Sequence, residues 1–165
     1  HDGIRTINVV RRTEAKAELE SLGGDVVLSA SDGPIEDQVR RALGEETVRH
    51  ALDPVGGAIG TGVLRALGPG GRLLVYGSLS EEPIQAESRQ LIAGNKTIEG
   101  FWLGHWMRSR SIPEALLLFR TIGRLVREGV LATQPGPRFG IEDIVAAVRE
   151  SESSARSGKV LLTIP

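Results

Sequence analysis

The chain has no cysteine among its 165 residues. This absence excludes a disulfide framework and a thiolate metal site, and it is compatible with a reducing compartment. The three histidines, His1, His50 and His105, are too scattered for the usual spacing of zinc ligands. The sequence therefore gives no reason to expect a bound metal.

Long apolar runs, a signal-peptide pattern and an excess of basic residues are absent as well. No run approaches the roughly 20 apolar residues that a membrane span needs, and the first residues lack a secretory signal. The formal net charge is -1, whereas nucleic acids and anionic membranes call for a basic surface. We expect neither as a partner, and we expect a cytoplasmic protein, or a mitochondrial one if the source is eukaryotic.

Motifs for nucleotide hydrolysis and nucleophilic catalysis are missing too. There is no GxxxxGK[ST] loop and no GxSxG elbow. Residues 57–62 follow a predicted strand and open a predicted helix, but their spacing is GxxGxG and not the GxGxxG of a dinucleotide fingerprint. A tight turn explains these glycines at least as well as a phosphate loop does.

What the sequence does contain is a regular alternation of strand-like and helix-like segments, which is typical of a parallel sheet with crossover helices. Strands are predicted at 7–10, 25–29, 48–53, 72–76, 96–103 and 159–164, with a turn at 68–71 and a loop around Pro135 and Pro137. Helices are predicted at 13–22, 37–43, 56–67 and from Ser111 to about 128, with a last one around 141–148. The apolar stripes of the last two helices indicate core packing.

The first strand ends on two adjacent arginines, Arg11 and Arg12, followed by Thr13. In α/β proteins that bind dinucleotides, the residues after the second strand face the adenosine ribose. An acidic residue there binds a free 2′-hydroxyl, whereas arginine pairs with a 2′-phosphate. The pattern favours NADP(H) over NAD(H), although a solvated charge pair is the simpler alternative.

Five segments together resemble the C-terminal half of a medium-chain dehydrogenase/reductase. The similarity is greatest to the zinc-independent, NADPH-dependent 2-enoyl thioester reductases (enoyl-ACP or enoyl-CoA reductases), with the quinone oxidoreductases nearby. It extends over almost the whole chain in order. The specific segments are RTINVVRR at 5–12 and GFWLGHW at 100–106; the others are DPVGG at 53–57, GGRLLVYG at 70–77 and GKVLLT at 158–163.

The resemblance implies a Rossmann-like, doubly wound parallel sheet and a set of cofactor-binding residues. These predicted site residues are Arg11, Arg12, Thr13, Tyr76, Gly77, Ser78, Leu79, Phe101, Trp102, Leu103, Gly104 and Lys159. The residues after 75 and after 100 would border the nicotinamide, and Lys159 would reach the cofactor from the last strand. As alternatives, Tyr76 could simply finish a buried strand, and the aromatic residues could serve the core or a subunit contact.

The family's reaction is hydride transfer from NADPH to the β-carbon of a 2-enoyl thioester. A tyrosine of an N-terminal substrate domain assists the protonation of the neighbouring carbon, and that domain does not occur in this sequence. We therefore expect one nucleotide-binding domain fragment, 1–165, in which 130–165 returns toward the substrate domain. It would contain no catalytic residue and would be inactive alone. A quinone oxidoreductase and a non-catalytic nucleotide-binding or interaction module remain the alternatives.

The sequence also lacks the family's first Rossmann strand and its glycine-rich loop, so the predicted sheet is incomplete. In the order 3-2-1-4-5-6 that strand is central. Either a preceding segment completes the sheet, or the neighbouring strands close up, or a partner chain fills the gap. The family also predicts a homodimer through the edge strand at 96–103.

Overall fold

The computed structural model describes residues 3–133, 135–153 and 158–164, and strands alternate with helices along them. The strands are β1 (Ile7–Val10), β2 (Val26–Ser29), β3 (Val48–Asp53), β4 (Leu67–Val75), β5 (Thr97–Gly100), β6 (Pro135–Gly140) and β7 (Lys159–Thr163). The helices are α1 (Lys16–Ser21), α2 (Ile35–Leu43), α3 (Gly57–Ala66), α4 (Ser88–Gly94), α5 (Leu103–Arg108), α6 (Ile112–Arg127) and α7 (Ile144–Glu152). The predicted α/β class, with parallel strand pairing throughout, is confirmed.

The chain divides into two units, His1–Ser109 and Arg110–Pro165. In the first unit, β1 pairs with β2, and β3, β4 and β5 form a second sheet in that order. In the second unit, β6 and β7 form a two-stranded sheet, and α7 contacts both of these strands. The segment 130–165, predicted to return toward a substrate domain, lies wholly in the second unit.

The first unit's two sheets are separate. Among the described residues, β1 pairs only with β2, and β3 pairs only with β4. Of the three outcomes expected for an absent central strand, closure of the neighbouring strands therefore does not occur. Strand β3 has no neighbouring strand along one edge among the described residues, and its Leu52 side chain is 70% exposed.

Helix α2 connects the two sheets through the hydrophobic core. Its Ile35 and Val39 are buried with Leu28 of β2, and Val48 of β3 packs against the same cluster. Val48 also packs against a second cluster formed by Leu64, Leu67 and Leu73. The core is thus continuous across the point where the hydrogen-bonded sheet is interrupted.

Three local predictions need correction. The predicted turn at 68–71 lies inside β4, but the ladder passes from the pair Val48–Leu67 to the pair His50–Arg72, so these residues form an irregular bulge. Strand 96–103 is shorter than predicted, because the chain turns into α5 at Leu103.

The predicted loop around Pro135 and Pro137 is strand β6, which pairs with β7. A proline is tolerated at the start of a strand or in an irregular part of it. The ladder here is irregular between Pro135 and Arg138, which is why the prolines misled the prediction.

Helix α6 begins as predicted, at a capping box. The Glu114 carboxylate accepts hydrogen bonds from the Ser111 backbone N–H and hydroxyl, both at 2.8 Å. The helix ends at Arg127, and Gly129 follows with a φ of +72°, a backbone conformation that glycine adopts at little cost.

Candidate functional site

The carboxyl ends of the strands in the first unit come together at one edge. The loop after β1 contacts the loop after β2: the Thr13 hydroxyl lies 3.1 Å from the Ser31 Oγ. A cavity of about 610 Å³ is bordered by the loop after β2, by α2 and α3, and by the loop after β4. This edge is where open α/β sheets bind their ligands.

The cavity itself contains none of the predicted site residues. Arg65 lies on its wall, with one guanidinium nitrogen 3.6 Å from a Glu36 carboxylate oxygen and another 3.4 Å from a Glu87 oxygen. The positive charge in the wall is thus already matched by carboxylates. The candidate site is instead the set of exposed loops around the strand ends.

The predicted residues after β1 are exposed, but the Thr13 hydroxyl is already used. Arg11 and Arg12 both face solvent. The Thr13 hydroxyl donates a 2.6 Å hydrogen bond to the Asp32 carboxylate, and the Lys16 ammonium lies 3.3 Å from the other oxygen of Asp32.

These contacts stabilise the Asp32 carboxylate. The hydrogen bond from Thr13 is the main cause that lowers its pKa, and Lys16 adds to the effect. In this arrangement Thr13 fixes the loop after β1 to the loop after β2. Sequence reasoning assigned Thr13 a direct contact with the cofactor, and that assignment stays a prediction.

The residues after β4 are held against the end of β3. The Tyr76 N–H donates to the Asp53 carbonyl at 2.9 Å, and the Leu79 N–H donates to the Pro54 carbonyl at 3.2 Å. A Cβ at Gly77 would lie 2.5 Å from the Pro54 carbonyl oxygen. Glycine is therefore required at position 77 by the close approach of two backbone segments, while the side chains of Tyr76 and Leu79 are largely exposed.

Asp53 is the residue of this site that sequence reasoning missed. It is 2% exposed, and its carboxylate accepts the Val55 N–H at 2.8 Å and the Gly56 N–H at 3.1 Å. A Cβ at Gly60 would collide with its second oxygen. Asp53 thus fixes the turn between β3 and α3. The available signal was an aspartate immediately before proline at a strand end, where such side chains bond to the backbone that follows.

The residues after β5 lie beside those after β4. The two strands are neighbours in register, with Val75 opposite Gly100, and the Phe101 N–H donates to the Val75 carbonyl at 2.8 Å. Tyr76 and Phe101 therefore directly follow the ends of two adjacent parallel strands and lie side by side. Trp102 and Leu103 are 68% and 59% exposed, so these two side chains are not core residues within the described structure.

Lys159 lies in the second unit. It is exposed and begins β7, where it pairs with Pro135. Its predicted contact with a cofactor remains a prediction. No three histidine, cysteine, aspartate or glutamate side chains come together as metal ligands within residues 3–133, 135–153 and 158–164. The helices in these ranges also include none that is long and apolar enough to cross a membrane.

Comparison with known proteins gives a consistent result. A family model described as zinc-binding dehydrogenase matches residues 1–121. The mitochondrial enoyl-[acyl-carrier-protein] reductases of Bos taurus and Mus musculus are 31% and 32% identical to the chain over 166 and 165 residues. Each alignment covers 98% of this chain but 44% of the relative. The chain thus spans less than half the length of these curated relatives.

Solved structures agree on the fold. A protein described as an NADPH:quinone reductase from Bacillus thuringiensis matches with a TM-score of 0.84 at 27% identity, over 98% of this chain and 49% of its own. A complex of Etr1p with NADP and crotonyl-CoA matches with a TM-score of 0.78 over 98% of this chain and 47% of its own. The identity to Etr1p is 23%, so this second match supports the fold alone.

Proposed function

The chain belongs to the zinc-binding dehydrogenase family, matching the C-terminal half of the medium-chain dehydrogenases and reductases, and on this basis we propose that it binds NADP(H) for a reductase of 2-enoyl thioesters. The observation that carries the proposal is the exposed pair Arg11 and Arg12 at the carboxyl end of β1. An NAD-binding protein has an acidic residue in the corresponding place. Two guanidinium groups suit a 2′-phosphate instead.

The other predicted residues fit the nicotinamide end of such a cofactor. Exposed apolar side chains of Tyr76, Leu79 and Trp102 follow two adjacent strands and offer a surface for a flat ring. NADPH supplies the hydride for the β-carbon of the enoyl thioester, and a proton is added at the neighbouring carbon. We assign no catalytic residue to this chain and propose that the reaction requires the substrate domain of the intact protein.

Cofactor selection can be tested with the intact protein by measuring NADPH and NADH affinity. Each charge-assisted bond to the 2′-phosphate contributes about 1.5–3 kcal/mol, so Arg11→Ala or Arg12→Ala should weaken NADPH binding about 10- to 100-fold. NADH affinity should stay nearly constant. Arg41→Ala, which removes an exposed arginine from α2, is the matched control. Equal affinity for the two cofactors, unchanged by either substitution, would refute the assignment.

The substrate class needs a second measurement. The TM-score of 0.84 to the protein described as an NADPH:quinone reductase favours a quinone as the alternative substrate. Oxidation of NADPH in the presence of an enoyl thioester or of a quinone distinguishes the two. Cofactor binding without turnover of either compound would favour the non-catalytic module.

We also propose a homodimer through residues 96–103. Strand β5 pairs with β4 on one side, and all four of its residues are exposed. An uncovered edge of this kind favours pairing with another strand. Sedimentation of the intact protein should show a dimer, and Ile98→Lys should weaken it. A monomeric protein would contradict this proposal.

We propose a cytoplasmic location, or a mitochondrial one if the source is eukaryotic. The mitochondrial names of the curated relatives support the second. Subcellular fractionation distinguishes the two compartments.

A further inference from the structure

Trp102 is held by two neighbours on its own segment, although its side chain is largely exposed. The Cζ atom of Arg108 lies 4.9 Å from the centroid of the indole ring. Arginine over a tryptophan face is a favourable cation–π arrangement. A solvent-exposed indole would otherwise populate several rotamers, so this contact restricts its orientation.

Gly104 provides the second restraint. A Cβ at this position would lie 3.3 Å from the indole Nε1 and 3.4 Å from Cε2. The distance to Nε1 is tighter than an ordinary van der Waals contact, so a methyl group at residue 104 would require the ring to move by a few tenths of an ångström. The indole thus passes close over the beginning of α5 because residue 104 has no side chain.

The base of this segment is fixed independently. The Phe101 N–H is bonded to β4, and the rings of Phe101 and Trp106 lie 6.2 Å apart in a tilted arrangement. The Trp106 N–H donates to the Trp102 carbonyl at 3.0 Å. The backbone of Trp102 is therefore anchored, and only the direction of its side chain depends on Arg108 and Gly104.

We propose that Arg108 is a positioning residue that orients the Trp102 indole at the nicotinamide side of the cofactor site. This inference rests on the proposed function, because it assumes that Trp102 borders the bound cofactor or the acyl chain. Gly104, predicted as a cofactor contact, then acts by making room for the indole. Arg108 acts through the ring and does not need to touch the substrate.

The orientation of the ring can be measured without any activity. The chain has two tryptophans, so a Trp106→Phe background leaves Trp102 as its single indole fluorophore. In that background, Arg108→Gln should increase the acrylamide quenching constant of Trp102 and its rotational freedom in fluorescence anisotropy. Arg108→Lys should leave the quenching constant and the anisotropy of Trp102 close to those of the Trp106→Phe parent, since lysine also makes cation–π contacts. Arg89→Gln, which removes an exposed arginine from α4, is the matched control.

The catalytic consequence is a second readout. In the intact protein, with Trp106 unchanged, Arg108→Gln should reduce kcat/KM for the enoyl thioester about two- to fivefold, the equivalent of ~0.5–1 kcal/mol for an exposed cation–π pair. The KM for NADPH should change less than that. Gly104→Ala should reproduce this loss although Arg108 is unchanged.

The outcomes separate this inference from the proposed function. Unchanged quenching and anisotropy in Arg108→Gln would overturn the positioning role, even if the protein reduces enoyl thioesters. A changed fluorescence with an unchanged kcat/KM would show that the indole is oriented but does not serve the reaction, which also overturns the proposal. Failure to bind NADPH, with the fluorescence effect intact, would refute the proposed function instead.

Discussion

Replacing Asp53 tests the idea that one buried carboxylate organises the candidate site. In Asp53→Ala, the Val55 and Gly56 N–H groups lose the oxygens that accept them at 2.8 and 3.1 Å. An unsatisfied buried donor costs about 1–3 kcal/mol, so two of them should lower the free energy of unfolding by about 3 kcal/mol. This is a large part of the roughly 5–15 kcal/mol that stabilises a typical domain.

The effect should be visible in both thermal and urea unfolding of the intact protein. For a domain of this size, 3 kcal/mol corresponds to a fall in Tm of about 6–12 °C. Asp53→Asn retains one carbonyl acceptor but directs an amide group at the turn, so its loss should be about half as large. Glu20→Ala removes an exposed carboxylate from α1 and should change stability by no more than about 0.5 kcal/mol.

A destabilisation by Asp53→Ala below about 1 kcal/mol would refute this reasoning. It would mean that water reaches the two N–H groups, in spite of the 2% exposure of Asp53. The loop after β4 provides an independent check. The Ser80 N–H and hydroxyl both bond to the Val55 carbonyl, at 2.9 and 2.8 Å, so amide exchange at Ser80 should accelerate in Asp53→Ala.

Two further predictions concern stability. The Lys96 ammonium donates to the Leu64 and Arg65 carbonyls at 3.0 and 3.2 Å. Because a cation stabilises a helix C-terminus, Lys96→Met should lower the free energy of unfolding in urea by about 1 kcal/mol. An unchanged free energy would show that the desolvation of Lys96, which lowers its pKa, cancels this stabilisation. The hydrogen bonds from the Ser111 backbone and side chain, and then the Arg110 charge, lower the Glu114 pKa. The contribution of the Glu114 carboxylate to the free energy of unfolding is therefore complete above the pKa of the unfolded state and is lost as the pH falls through the lower pKa of the folded state. Glu114→Gln should make the free energy of unfolding less sensitive to acid. A pH profile identical to that of the unmodified protein would contradict this.

The sequence predicted those elements whose signals are local. The bounds of β1, the box that begins α6 and the glycine that follows its end all depend on residues close together in the chain, and each is confirmed. Strand β6 was missed because its prolines are typical of loops. Only the presence of β7 beside it, more than twenty residues later in the chain, makes this segment a strand.

The candidate site shows the same division. The charges of Arg11 and Arg12 are visible in the sequence, and so are the aromatic residues after β5. The role of Asp53 was not predictable in the same way, because it depends on burial beneath α3 and on the loop after β4. Likewise, nothing in the sequence indicated that the Thr13 hydroxyl would bond to Asp32, nineteen positions away.

The uncovered edges of β1 and β3 have a consequence for cooperativity. Strand β1 is parallel to β2, strand β3 is parallel to β4, and the loops after β2 and β4 border the same cavity. A strand lying between β1 and β3, with its carboxyl end at that cavity, would therefore be parallel to both. In an extended chain, successive backbone groups point to alternate sides, so a single inserted strand would satisfy both edges in one step. The amides of β1 and β3 should therefore gain protection from hydrogen exchange together when such a strand is present, although the two strands share no hydrogen bond.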